Sequence, residues 1–230
     1  MKDKLVIIPA FNEAGCIVNT VNDIIENAPE FDYVVINDCS RDDTYKLCLE
    51  NGFNVVNLPI NSGIGAAVQT GYLYAKRYGY KYAIQVDGDG QHDAAFLETM
   101  ARYMEEHGTG MLIGSRYIEK QGFQSSGLRR FGIKYFTVLI KILTGKKITD
   151  PTSGMRMVGR DIIEYFAEEY PKDYPEPETA VTIVKKGWTV DEIPVVMKER
   201  QAGTSSISPK RSVYYMIKVS LACVMAALSA

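Results

Sequence analysis

The segment Asp87-Gly88-Asp89-Gly90-Gln91-His92-Asp93 directly follows the apolar run Tyr82-Ala83-Ile84-Gln85-Val86. Two carboxylates one residue apart at a strand end can turn toward the same hard cation. Mg2+ or Mn2+ prefers oxygen ligands and bridges readily to substrate phosphates. The interleaved glycines let backbone and ligand approach closely, and Gln91 can add a neutral oxygen. The competing reading is a surface turn with solvated acids, because a bare Asp-x-Asp arises often by chance. Its place at the end of a buried strand favours the site. His92 reads either as a group behind the ligands or on the acceptor side, or as a surface residue. His107, near a helix end, reads as a partner of the helix dipole.

The surrounding elements place this run. Leu5-Val6-Ile7-Ile8 before Pro9, Tyr33 to Asn37, Phe53 to Asn57, Tyr82 to Val86 and residues 111–114 have the character of strands. Helical spacing covers residues 13–27, 43–51, 64–78 and 94–107. Strands alternating with helices imply parallel pairing with right-handed crossovers. Ligands of such sheets bind beyond the carboxyl ends of the strands. The polar segments after residues 9, 37, 61 and 86 all fall there. The second half is less regular: helices are expected at 128–144, 160–170, 178–187 and from Ser212 on, with a strand from Trp188 to Val196.

Bulk properties narrow the class. The chain has 230 residues, 46% hydrophobic and 23% charged, which suits one α/β domain with a single sizeable core. A formal net charge of -2 argues against nucleic acid as a partner. Cys16, Cys39, Cys48 and Cys223 form no CxxC pair, so reduced thiols are expected rather than zinc or disulfides. Met1-Lys2-Asp3-Lys4 runs straight into a strand without a signal-peptide pattern, and a cytoplasmic location is expected. Gly63-x-Gly65 follows the third strand rather than the first, and Val68 stands at the last glycine of the dinucleotide fingerprint, so no nicotinamide cofactor is expected.

Seven segments in consistent order resemble the family 2 glycosyltransferases, and within them the dolichyl- or polyprenyl-phosphate mannose and glucose synthases. They are Ile8 to Glu13, Asn37 to Thr44, Asn61 to Ala67, Asp87 to His92, Gly114-Ser115-Arg116, Asp150 to Arg156 and Arg200 to Ser206. The resemblance implies a GT-A fold: a Rossmann-like domain over residues 1–211 with a mostly parallel central sheet, followed by a C-terminal apolar helix at 212–230. It implies that Pro9, Ala10, Phe11, Glu13 and Asp38 hold the nucleoside, with Gly88 beside the sugar diphosphate. Asp87, Asp89 and Gln91 would hold the metal. Read by themselves, Pro9 to Phe11 could be loop packing and Asp38 a helix cap, while Asp42 and Asp43 suit caps better than ligands. Many relatives carry Lys where Ile64 stands, so no side-chain phosphate contact is expected from that loop.

The resemblance sets Arg116, Arg129, Arg130 and Arg200 near the acceptor phosphate and the sugar diphosphate, and Arg156 and Ser205 are further candidates for holding the acceptor phosphate. The planar fork of Arg suits phosphate. Asp89, Arg116, Arg200 and Glu176 are the catalytic candidates. A lipid phosphate is already an anionic nucleophile and needs no strong general base. For a hydroxyl acceptor, Glu176 or Glu178 would serve as base. Both also suit the first turn of a helix after a proline-rich turn. Ser205 and Ser206 suit a flexible loop equally.

Residues 128–144 alternate basic and apolar side chains, as in a helix lying in an anionic interface, and equally as in a core helix with a solvated basic face. The tail from Ser212 is short for a membrane span and suits an interfacial helix, an oligomer contact or a docking surface for a small membrane protein. The expected activity is inverting transfer of a hexose from a UDP-glucose or GDP-mannose type donor to a polyprenyl phosphate, in cell-surface glycan synthesis at the inner face of the membrane. The alternatives are a same-fold transferase acting on a sugar hydroxyl and a non-catalytic sugar-nucleotide-binding scaffold.

Overall fold

The structure is a computed structural model that describes residues 2–119, 127–198 and 209–229, with side chains from Arg130 in the second stretch and from Tyr214 in the third. Strands β1 (Lys4–Ala10), β2 (Phe31–Asn37), β3 (Val55–Asn57), β4 (Tyr82–Gln85), β5 (Met111–Ser115), β6 (Arg156–Gly159) and β7 (Val190–Pro194) form one sheet in the order β3-β2-β1-β4-β6-β5-β7. All neighbours are parallel except β6, which runs antiparallel to both β4 and β5. The strand β6 has no counterpart in the sequence expectation. Its four residues, Arg-Met-Val-Gly, are too short and too polar at one end to show a period. The reversal has a use: Arg156 opens β6 opposite Gln85, so the loop before it arrives at the edge where the parallel strands end.

Helices α1 (Ile17–Asn27), α2 (Thr44–Glu50) and α4 (Phe96–His107) cover one face. Helices α3 (Ile64–Tyr78), α5 (Gly127–Thr144), α6 (Arg160–Glu168), α7 (Pro175–Lys185) and α8 (Pro209–Ser229) gather on the other. Alternation along the strands builds the two cores. In β1, Leu5 and Ile7 belong to one cluster and Val6 and Ile8 to the other, all of them wholly buried. Each such side chain contributes about 1.5–3 kcal/mol on leaving water. Val219 and Cys223 of α8 lie in the same cluster as β1 and α3, so this helix is packed onto the core rather than trailing from it.

Candidate active site

One side of the site, the side expected to hold a nucleoside, is built from two loops tied to each other by hydrogen bonds. After β1 the chain turns at Asn12, whose φ is +58°, and after β2 it turns at Cys39, at +54°. Asn12 N–H donates to Ser40 Oγ at 3.0 Å, and Arg41 N–H donates to Asn12 Oδ1 at 2.8 Å. Asp38 N–H donates to the Ala10 carbonyl at 2.9 Å. Asp42 accepts from Ala14 N–H at 3.1 Å and Thr44 N–H at 3.0 Å, which caps α2 and joins it to the first loop. Despite the cost of burial, the Thr44 hydroxyl and, after it, these N–H donors hold Asp42 below the usual carboxylate range. Phe11 remains 41% exposed at the rim, presenting an apolar edge.

Asp38 is 3% exposed and is spent on a third loop. Its oxygens accept from Ser62 N–H at 2.7 Å, Gly63 N–H at 2.9 Å and Asn61 Nδ2 at 3.0 Å. The side chain therefore shapes the entry to α3, rather than capping α2. A Cβ at Gly65 would stand 2.1 Å from the Pro171 carbonyl oxygen, so only glycine lets the start of α3 meet the 171–172 segment. Gly65 N–H donates to the Lys172 carbonyl at 3.2 Å across that contact.

The acidic run sits at the end of β4. Asp87 has a side chain 39% exposed, while Asp89 is only 5% exposed and accepts from Gln91 N–H at 3.1 Å. Gln85 Nε2 donates to Asp87 Oδ1 at 2.9 Å. His92 is buried, contrary to its surface reading. Its Nδ1 accepts from Asp87 N–H at 3.0 Å and its Nε2 lies 4.0 Å from Asp87 Oδ2, so the ring fixes the turn from inside. A Cβ at Gly154 would stand 2.8 Å from Asp87 Oδ2, so the loop before β6 closes directly over this carboxylate. The run is also stitched to the segment after β7: Lys198 N–H donates to the Gln91 carbonyl at 2.9 Å, and His92 forms an isolated antiparallel bridge with Met197.

Among the described residues no group of three or more His, Cys, Asp and Glu forms a metal cage. Two adjacent carboxylates, one of them open to solvent, with Gln91 beside them, fit a cation that takes its other ligands from phosphate and water.

Arg116 and Asp150 form the second half. The guanidinium grips the carboxylate from Nε to Oδ2 at 2.6 Å and from a terminal nitrogen to Oδ1 at 2.7 Å, with Asp150 wholly buried. Thr152 Oγ1 accepts from the same terminal nitrogen at 3.1 Å. Behind Asp150 stands Glu192 of β7, which accepts from Asp150 N–H at 2.9 Å and Thr149 N–H at 2.7 Å. Burial pushes Glu192 above the usual carboxylate range, against the pull of those donors. Burial also works against the charge of Arg116, yet Asp150 holds its guanidinium above its ordinary value, with Asp87 adding to the effect.

Two residues expected at the acceptor part company. Arg156 is 3% exposed, and its guanidinium donates to the Ser153, Pro151 and Glu176 carbonyls and to Thr179 Oγ1. It is thereby corrected from an acceptor-phosphate ligand to a strut that ties the 151–153 loop to the first turn of α7. Arg130 is exposed in the first turn of α5. The side chain of Arg129, and Arg200 and Ser205, lie outside the described residues.

Glu176 and Glu178 also separate. Glu176 lies within electrostatic reach of Arg156, Asp87 and Arg116; burial pushes its carboxyl up to about 7, with the two arginines opposing. Glu178 is raised by burial alone, and it acts on Cys223 of α8 and on Tyr165, away from the acidic run. Tyr170, half-buried against Tyr72, feels both Glu176 and Asp87; burial chiefly sends its hydroxyl far above the usual range.

Sequence reasoning assigned no role to Gln85, Gly154, Tyr170 or Glu192. Gln85, a polar residue closing an apolar strand just before the acids, was a usable signal. The others act through partners distant in sequence.

Site and fold together define an α/β protein of GT-A architecture, with paired acids and an arginine at the carboxyl edge of its sheet. The chain belongs to glycosyl transferase family 2, whose model matches residues 5–166. It is 28% identical over 227 residues to polyprenol monophosphomannose synthase of Mycolicibacterium smegmatis, covering 94% of this chain and 84% of that one. It is 29% identical over 220 residues to UDP-N-acetylglucosamine–dolichyl-phosphate N-acetylglucosaminyltransferase of Methanococcus voltae, covering 85% and 86%. Among solved structures it resembles glucosyl-3-phosphoglycerate synthase of Mycobacterium tuberculosis in complex with Mn2+, UDP and phosphoglyceric acid. That match has a TM-score of 0.73 at 14% identity, over 99% of this chain and 79% of that chain, and it establishes the shared fold.

Proposed function

We propose that this protein transfers a hexose from a nucleoside diphosphate sugar to a polyprenyl phosphate, with inversion at the anomeric carbon. The acceptor phosphate oxygen forms a bond to that carbon while the bond to the donor diphosphate breaks, and the nucleoside diphosphate leaves. The relatives whose names carry lipid phosphates match nearly the whole chain. The observation that carries the reading is the pair Asp87 and Asp89 at the end of β4, with Arg116 and Glu176 within electrostatic reach of Asp87.

In this reading Asp87, Asp89 and Gln91 hold Mg2+ or Mn2+, which would neutralise charge on the leaving diphosphate. The loops carrying Pro9, Ala10, Phe11, Glu13 and Asp38 seat the nucleoside, and Gly88 keeps the diphosphate path open. Arg116 faces the acceptor phosphate, joined by Arg129, Arg130, Arg200 and Ser205. The phosphate is anionic already, so alignment and charge neutralisation carry the catalysis. Such an acceptor sets the proposed action at a membrane surface, which this reading takes to be the inner face, with the protein attached peripherally. Among the described residues no helix is long and apolar enough to cross a membrane.

A second reading has a specific observation in its favour. A carboxyl raised to about 7 beside the acidic run is tuned for general-base work, which a sugar hydroxyl would need. A screen of UDP- and GDP-sugars with Mn2+ or Mg2+ and a short polyprenyl phosphate decides between them. Metal-dependent formation of a lipid-linked sugar supports the first reading. Transfer only to sugar hydroxyls replaces it with the second, and retention of the donor's anomeric configuration would refute the inverting mechanism.

A further inference from the structure

The helices α5 and α8 pack against each other, with Tyr135 and Ser220 hydrogen-bonded at 3.0 Å. Each is apolar on two sides. Inward, Phe136 and Ile140 of α5 and Val219 and Cys223 of α8 are buried in the core. Outward, Phe131, Tyr135, Val138 and Ile142 recur at helical spacing along α5 and are between 38% and 75% exposed. Ile217, Leu221, Met225 and Leu228 do the same along α8, between 60% and 79% exposed. Isolated exposed apolar residues are ordinary, but two adjacent stripes mark a contact surface.

Charge indicates what covers it. The chain as a whole carries a net charge of -2. Yet the sequence of α5 holds four Lys and Arg residues and that of α8 three, with no Asp or Glu in either. On α5, Arg130, Lys134 and Lys141 are exposed and fall along one flank of the apolar stripe, by helical geometry. An apolar stripe edged by cations, on helices unable to cross a bilayer, is the pattern of a helix lying in an anionic lipid interface.

We propose that the outward faces of α5 and α8 together form a docking surface for an anionic lipid bilayer. The choice of a lipid surface also rests on the proposed lipid-phosphate acceptor. The same helices brace the site. Tyr215 of α8 stands edge-on to Tyr174 at 4.6 Å and to Phe136 of α5 at 5.6 Å. Lys218 bonds to Asp173 at 2.6 Å, two residues before α7, whose first turn carries Glu176. A docked α5–α8 pair thus holds the acceptor side of the site against the lipid headgroups.

The test is co-sedimentation of the full chain with vesicles of phosphatidylcholine alone or with added phosphatidylglycerol. Turnover is followed in parallel on a short polyprenyl phosphate dispersed in detergent. Wild type is expected to bind only the anionic vesicles. I142D/L221D should abolish that binding. K134Q/K141Q should weaken it roughly 25-fold, at about fivefold per cation near the surface. Both should keep wild-type turnover in detergent. Equal binding by wild type and I142D/L221D would overturn the proposal. So would a dimer dispersed by I142D/L221D without vesicle binding, or attachment only to native membranes and not to pure lipid. Vesicle binding without turnover on any lipid phosphate would leave the docking surface standing and remove the proposed acceptor.

Discussion

The proposed donor half and the proposed acceptor half of the site are held together by different physics. On the donor side, three loops after β1, β2 and β3 are fastened mainly by short hydrogen bonds among backbone N–H groups, Asn12, Asp38 and Asp42. Phe11 and Asp87 are left partly open to solvent. On the acceptor side, side chains are linked in series: Glu192 accepts from the Asp150 backbone N–H, the buried Asp150 carboxylate grips Arg116, and Arg156 struts the neighbouring loop with Glu176 close by. The first arrangement relies on backbone donors, and its acids Asp87 and Asp89 bond to near neighbours in sequence, Gln85 and Gln91. In the second, the Arg116 charge depends on a buried carboxylate whose loop is itself held by Glu192, so chemistry and stability are hard to separate.

Substitutions should expose that contrast. Asp89→Ala should reduce turnover by about a thousandfold or more, the scale of a lost metal clamp, with a smaller fall in thermal midpoint than Asp150→Ala. A thermal scan beside a turnover assay checks both, and full activity in this variant would remove the metal role. Asp150→Ala should lower stability by about 3–5 kcal/mol, because it strands the Arg116 guanidinium in a nearly closed space. Urea unfolding measures this, and a change below about 1 kcal/mol would show that the two halves do not differ as described.

Glu176→Gln sharpens the comparison. With a lipid-phosphate acceptor the rate should fall about tenfold or less, and with a hydroxyl acceptor by a hundredfold or more. The same residue predicts a pH signature. Its folded carboxyl titrates near 7, above its ordinary value of 4.5. Between those values the unfolded chain gives up a proton that the folded chain keeps, so this group's contribution to stability falls as pH rises and levels off above about 7. Urea midpoints at pH 5 and pH 8 should differ less in Glu176→Gln than in wild type.

Gly65→Ala touches the seam between the halves. Its added methyl must displace the 171–172 backbone, at about 1–3 kcal/mol, and donor KM should rise with the loss of stability. Phe11→Ala should have the smallest effect, within about 0.5 kcal/mol on stability, and a modest rise in donor KM alone.

The contrast also explains what was readable beforehand. Helix α3 spans the residues its apolar spacing predicts, and the acidic run lies at a strand end as expected, because periodicity and turn chemistry are local. The antiparallel β6 carried no such signal. Nor did the inward turn of Arg156, whose partners at Pro151, Glu176 and Thr179 are up to 23 residues away. Glu176 and Glu178 could not be told apart in sequence. A separation of two residues on a helix points them to different sides, but which side faces Asp87 depends on how α7 is seated.

By itself, then, the amino-acid order determined the alternating strands and helices, the acids and their glycines, and the motif order of family 2. These depend on spacing, burial period and residue chemistry within short windows. Tertiary structure alone decided that Asp38 shapes the α3 entry, that His92 supports Asp87 from within, and that Arg116 is locked to Asp150. It also decided that α5 and α8 turn a second apolar face outward. Each of these turns on which distant group reaches a buried charge or covers an apolar stripe, and the folded packing sets that.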